Sequence, residues 1–257
     1  AARIPGKEEF RETLRYFQHR IAETGVDLRL GTAAGPAELA GFDHIVLATG
    51  VVPRRVDFPG ATDPRVVGYL DVLEGRIRAA DSVAIIGAGG IGFDVAEFLV
   101  QDGPSSTLDP PRWHAEWGVD LTGRSPGGLA PARPEPPARE VWLLQRSPGR
   151  PGARLGKTTG WIHRATLKAR QVRMVGGVEY LGMEPQGFRV RVDGEEQVLA
   201  VGTVVVCAGQ EPQRKLQARL QAAGISAPVH LIGGADVAAE LDARRAIDQG
   251  SRLAAGF

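Results

Sequence analysis

Apolar and polar positions follow two different periods along this chain, and the switches between them mark out its elements. In residues 8–23 Phe10, Leu14, Phe17 and Ile21 recur at the spacing of one helix face, and Gly25 supplies the stop. Residues 26–30 then change to the pattern of a strand. Residues 44–48 form a short apolar run ending on Thr49-Gly50, as a buried strand does, and Val51-Val52-Pro53-Arg54 leaves it extended. Residues 82–86 are the next apolar strand and run directly into Gly87-Ala88-Gly89-Gly90-Ile91-Gly92, after which residues 93–100 continue as a helix.

Between residues 101 and 139 the periodicity vanishes. Pro104, Pro110, Pro111, Pro126, Pro131, Pro134, Pro136 and Pro137 collect there with glycine and serine, which predicts a long loop or insertion anchored by Trp113, His114 and Trp117. Pattern returns with a strand at 140–145, a helix at 160–170 and a strand at 172–175. A hairpin follows, 188–192 with 197–199 about the Asp193-Gly194 turn. A buried strand at 203–208, a helix near 215–223, a strand at 229–232 and a helix from 238 onward complete the chain. Helices alternating with strands predict an α/β sheet. One echo stands out: Leu47-Ala48-Thr49-Gly50-Val51-Val52-Pro53 matches Val206-Cys207-Ala208-Gly209-Gln210-Glu211-Pro212 in type. With a nucleotide fold between the two copies, the echo points to chain crossings between two domains.

Charge changes the picture chiefly by what it removes. Lys and Arg number 31 against 30 Asp and Glu, so no whole-chain field recruits nucleic acid or an anionic membrane, and a small acidic molecule is the expected partner. No apolar run approaches the roughly 20 residues of a membrane helix. The single Cys207 excludes an internal disulfide, a CxxC pair and a four-thiolate cluster, and 5 scattered histidines give no metal constellation. The first residues lack an apolar signal core, so a cytoplasmic location is expected.

The glycine run carries the clearest chemistry. Gly87-x-Gly89-x-x-Gly92 follows a strand and opens a helix, the context in which three glycines allow a tight turn, close approach of a pyrophosphate and close helix packing. The helix N-terminus offers its unpaired N–H groups to phosphate. At the end of the next predicted strand stand Arg146 and, in the turn, Arg150, with no carboxylate beside them. This favours the 2′-phosphate of NADP over the ribose hydroxyls of NAD. Gly233-Gly234-Ala235-Asp236 joins a strand to a helix, with Asp236 suited equally to a polyol hydroxyl or to a helix cap. Glu240, Asp242, Arg244 and Arg245 read as a solvated charged face. Lys157-Thr158-Thr159-Gly160-Trp161-Ile162-His163-Arg164 is rich in hydrogen-bonding groups, and His163 reads as structural or ligand-contacting because no carboxylate partner is legible beside it.

Taken together, IPGKEEF at 4–10, GAGGIGFD at 87–94, KTTGWIHR at 157–164, CAGQEP at 207–212 and HLIGGADVAAELDARR at 230–245 resemble the C-terminal half of bacterial NADPH-dependent 2,4-dienoyl-CoA reductases. The resemblance runs from end to end. It implies a Rossmann-like NADPH domain at 54–206, carrying the 101–139 insertion, set inside an incomplete FAD domain of glutathione-reductase type at 1–53 and 207–257. By position, Gly87, Ala88, Gly89, Gly90, Ile91 and Gly92 with Arg146 and Arg150 would hold NADPH. Lys7, the Ala33-Ala34 stretch, Thr49, Gly50, Gly209, Asp236, Leu241, Asp242 and Ala243 would line FAD. Hydride would pass from NADPH to FAD with no acid or base required, since the cofactors supply the chemistry. The family's first FAD-binding strand is expected to precede Ala1, and upstream of it a TIM barrel with FMN and a 4Fe–4S cluster as the missing partner. Two alternatives stay open: a non-catalytic NADP(H)-binding module, and a dehydrogenase of the trimethylamine type, which Arg146 disfavours.

Overall fold

In the computed structural model residues 1–239 and 241–257 are described; Glu240, with the solvated role expected of it, lies outside the described residues. A 3-10 turn at Glu8–Phe10 runs into α1 (Arg11–Thr24), followed by α2 (Pro36–Leu39), β1 (Ile45–Leu47) and β2 (Val51–Pro53). Next come β3 (Val66–Gly68), α3 (Tyr69–Leu73), β4 (Ser82–Ile86), α4 (Gly90–Val100), α5 (Pro110–Trp117), β5 (Glu140–Leu144), α6 (Gly160–Ala169) and β6 (Arg173–Val175). The remaining elements are β7 (Glu179–Glu184), β8 (Gly187–Val192), β9 (Glu195–Leu199), β10 (Thr203–Val206), β11 (Gln210–Pro212), α7 (Lys215–Ala222), β12 (Val229–Leu231) and α8 (Ala243–Ala254). The chain divides into two compact units, Ala1–Arg20 with Arg55–Ala208, and Ile21–Arg54 with Gly209–Phe257. Among the described residues no helix is long and apolar enough to cross a membrane.

The larger unit is built on a parallel sheet in the order β3-β10-β4-β5-β6. Its central strand β4 is apolar on both faces because both are covered. Val83 and Ile85 pack with Phe93, Val95 and Leu99 of α4, while Ala84 and Ile86 pack with Phe188, Val190 and Leu199 of the antiparallel β7-β8-β9 sheet. Each fully buried side chain of this kind contributes about 1.5–3 kcal/mol. Two arginines close helix ends, where unpaired carbonyls attract a cation. Arg3 Nη1 donates to the Leu73 carbonyl at 2.7 Å, and Arg139 Nη1 to that of Leu99 at 3.1 Å.

Residues 1–20 go with this unit, whereas the sequence reading grouped 1–53 together. The reason is local: Ile4 is 3% exposed, Lys7 pairs with Asp94 of α4, and Glu8 accepts from the Thr107 hydroxyl at 3.2 Å. The units change over at 20/21, 54/55 and 208/209.

In the smaller unit β1 and β12 pair in parallel, and Ile45, Leu47 and Leu220 form a core with Leu39, Leu216 and Leu231. The two echoed segments meet there as an antiparallel ribbon: Gln210 faces Pro53, Glu211 faces Val52 and Pro212 faces Val51. Further bonds at either end, Arg54 N to Gly209 O and Gln213 N to Gly50 O, both 3.0 Å, extend it.

Four expectations need correction. Residues 26–30 form no strand, since they pair with no other described segment, and Val26, Leu28 and Leu30 are 56, 49 and 80% exposed. The 101–139 segment is not plain loop but carries α5 and two 3-10 turns. Helix α5 has a complete set of local signals: Asp109 accepts from the Arg112 N–H, prolines occupy its first positions and Gly118 ends it at φ 67°. The last helix starts at Ala243 rather than 238, because Asp242 caps it through the Arg245 N–H at 2.8 Å. Finally, α2, β3, α3, β7 and β11 lie where no element was expected.

Candidate nucleotide-binding site

Strand β4 delivers the chain into the glycine turn, and β5 lies beside it with Ile86 opposite Leu144. The Gly87 N–H donates to the Leu144 carbonyl at 2.9 Å, tying the turn to the end of β5. Gly87 has φ 108°, and a Cβ on it would lie 2.5 Å from the Cys207 carbonyl oxygen. A Cβ on Gly92 would stand 1.8 Å from the Gly87 carbonyl oxygen. Those two glycines are therefore demanded by the polypeptide itself. Gly89 and Gly90 differ, since a Cβ on either meets nothing within 4 Å. The open space over them lies at the N-terminus of α4, whose first N–H groups have no partner within the helix. Open backbone with free donors and a positive helix end fits a pyrophosphate. Ala88 is buried and Ile91 packs against the core, so both orient the turn from below.

Arg146 and Arg150 are exposed in the segment that leaves β5, and neither has an acceptor among the described residues. Their guanidinium groups are free to meet a phosphate. An Arg146→Ala chain is expected to bind NADPH about tenfold more weakly while NADH binding changes little, as loss of one charge-assisted hydrogen bond would give. Titration of both nucleotides checks this, and an equal loss for each removes Arg146 from the 2′-phosphate site.

Behind the turn, α4 carries two acids on one face. Both oxygens of Asp94 accept from Lys7 Nζ, at 2.8 and 2.7 Å. One turn further, Glu97 is 6% exposed and its Oε1 lies 2.7 Å from Nδ1 of His163 on α6. The carboxylate partner missing from the sequence reading of His163 is thus supplied across 66 positions of chain. The Glu97 hydrogen bond raises the His163 pKa above 6.5, with its charge and that of Asp94 adding to the effect and burial opposing it. One ligand-type atom from each of Asp94, Glu97 and His163 lies within 4.8 Å of the others, a spacing a metal ion accepts. Lys7 already engages both Asp94 oxygens, however, so the group is built as a Lys7–Asp94 ion pair beside a His163–Glu97 hydrogen bond. Lys7, placed by resemblance with FAD, sits here against α4.

Of the other positions expected to line FAD, all in the smaller unit, Thr49 and Gly50 follow the carboxyl end of β1 and Asp236 follows that of β12, the end at which α/β folds bind ligands. Gly50, Gly234 and Leu241 come together: a Cβ on Gly234 would be 3.1 Å from the Gly50 carbonyl carbon and 3.2 Å from Leu241 Cδ2. Thr49 donates its hydroxyl to the Gln213 carbonyl at 2.6 Å, and Gly209 takes φ 97° at the start of the ribbon. Asp236 accepts from Gln249 Nε2 at 2.7 Å and does not cap α8. Asp242 does, leaving Ala243 as its first residue. Ala34 stands apart, exposed before α2.

Comparison with known proteins places this geometry. The "Metal reductase" of Desulforamulus reducens is 27% identical over 86% of this chain, and the "Cinnamate reductase" of Clostridium sporogenes 32% identical over 41%. The chain spans 33% of the first relative's length and 16% of the second's. A solved structure of 2-naphthoyl-CoA reductase with 2-naphthoyl-CoA overlays with a TM-score of 0.78 at 20% identity, covering 100% of this chain and 33% of that one. That likeness shows a shared fold, and flavoprotein disulfide reductase folds overlay as well. The family model for pyridine nucleotide-disulphide oxidoreductases matches residues 20–228, most of the chain, and the chain belongs to that family of FAD- and NAD(P)-binding oxidoreductases.

Proposed function

We propose that this chain passes hydride from NADPH to FAD within a 2,4-dienoyl-CoA reductase or a closely related enoate reductase. The observation that carries the NADPH half is the glycine turn, where Gly89 and Gly90 leave open backbone that the bare fold does not require. Gly87 to Gly92 would hold the pyrophosphate, and Arg146 with Arg150 would take the 2′-phosphate. Thr49, Gly50, Gly209, Asp236 and the start of α8 would line FAD, with Lys7 paired to Asp94 on the nucleotide helix. FAD, when bound, supplies the flavin that accepts the hydride. No side chain of this chain needs to donate or remove a proton in that step. FMN and a 4Fe–4S cluster belong to the barrel partner expected upstream. The acyl-CoA substrate class rests on the family-specific motifs at 157–164 and 230–245, and relatives named as reductases of cinnamate and of a naphthoyl thioester support an unsaturated acyl acceptor.

The test is direct. FAD is added to the purified chain, flavin absorbance is followed under anaerobic addition of NADPH, and ferricyanide serves as acceptor. Flavin bleaching with turnover supports the reading. Nucleotide binding with no flavin and no turnover leaves the non-catalytic NADP(H)-binding module in its place.

A further inference from the structure

The KTTGWIHR segment has no role in the hydride step, yet among the described residues it supplies the hydrogen-bond partner of a buried acid in α4. Glu97 accepts its single described hydrogen bond from His163, and a carboxylate that deep is costly unless a cation faces it. Two tethers therefore hold α4: Lys7 grips Asp94 from the N-terminal segment, and His163 grips Glu97 from α6. A cavity of about 180 Å³ adjoins both, lined by Lys7, Glu97, His163, Trp113, Glu116 and Trp117 among others, with α5 of the insertion as one wall. The charged groups facing His163 are Glu97 and Asp94 of α4 and Lys7, and Glu116 shares its cavity while pairing with Arg170.

We infer that the Glu97–His163 pair positions the nucleotide helix, so that protonation of His163 and occupation of the glycine turn by a dinucleotide favour one another. This deepens the dinucleotide reading above and rests on it. Two arguments give the sign. With His163 protonated, each acid of α4 faces its own cation; with His163 neutral, Lys7 still engages Asp94 and the buried Glu97 faces no cation of its own among the described residues. In addition, a pyrophosphate at the start of α4, about 10 Å along the helix axis from Glu97, adds negative charge that weakly favours the protonated ring. Because His163 has its pKa raised on folding, the stabilised pairing is fully present below about 6.5 and is lost as pH rises through the folded value. Linkage then requires the nucleotide to raise that value by the same factor by which protonation tightens binding.

The experiment uses the full chain and NADP⁺. Calorimetry between pH 7 and pH 9 is expected to show affinity falling about fivefold for the wild type, beyond the change seen in His163→Gln. In histidine-labelled protein the His163 resonance, assigned by its loss in that variant, is expected to titrate higher when NADP⁺ is bound. Glu97→Gln keeps the shape and removes the charge that faces His163, so it is expected to weaken both effects even where His163→Gln folds poorly. Identical pH dependence in wild type and both variants, or a His163 midpoint unmoved by NADP⁺, makes the pair merely structural and overturns the inference. Absence of NADP⁺ binding at every pH overturns the dinucleotide reading itself.

Discussion

A Gly89→Ala chain is expected to melt within a few degrees of the wild type yet to bind NADP⁺ about a hundredfold more weakly, a loss of roughly 2.7 kcal/mol. Gly89 has ordinary backbone angles, φ −85° and ψ −172°, and an added methyl group meets nothing within 4 Å. Gly89 is the N-cap of α4, where alanine serves less well, so stability is expected to fall by no more than about 1 kcal/mol. The methyl group would instead occupy the space through which the phosphates approach the backbone. Gly92→Ala is the control, because its Cβ falls 1.8 Å from the Gly87 oxygen and the turn must open to admit it. That variant is expected to lose about 2–4 kcal/mol of stability as well as binding. Thermal melts with nucleotide titrations separate the two, and equal destabilisation of both would remove the ligand-facing role of Gly89.

Arg170→Ala is expected to destabilise the larger unit by about 3–5 kcal/mol and to expose the 101–139 segment to proteases. Arg170 is 3% exposed, and its Nη2 donates to Glu116 at 2.6 Å while Nη1 donates to the Glu135 carbonyl at 3.1 Å. Glu116 also accepts from the Ser106 hydroxyl, and Glu135 binds Arg112 through both oxygens. Removing this buried cation deprives Glu116 of its direct ion-pair partner. Denaturant unfolding and limited proteolysis read the two effects, and a second change, Glu116→Met, is expected to recover part of the loss by removing the stranded acid. Full stability in the single variant would show that the insertion is held by its apolar contacts alone.

What the sequence made legible follows from the range of each signal. The β4 strand, its glycine turn and α4 are contiguous, so period, composition and motif agreed on them within eighteen or so residues. The Thr49-Gly50 and Ala208-Gly209 echo was readable too, because the same turn chemistry is written twice. Helix α5 was hidden although its cap, its prolines and its closing glycine are all local: eight prolines in 101–139 outweighed them as breakers, when two of those eight open a helix. Residues 26–30 show the opposite failure, a correct alternating pattern with no neighbouring strand to ladder with. The Glu97–His163 pair was beyond pattern altogether, since neither residue carries a sign of the other. Their meeting depends on how α6 packs on α4, which only the folded sheet decides.

Cys207 gains a use from where the turn places it. The residue is 6% exposed, its carbonyl lies against Gly87, and burial drives its thiol far above the usual range, so it stays protonated and unreactive at neutral pH. As the single sulfhydryl of the chain, it is a built-in sentinel for opening of the sheet's centre. Chemical labelling of the native protein therefore clocks the breathing of that sheet, free of any background from a second thiol.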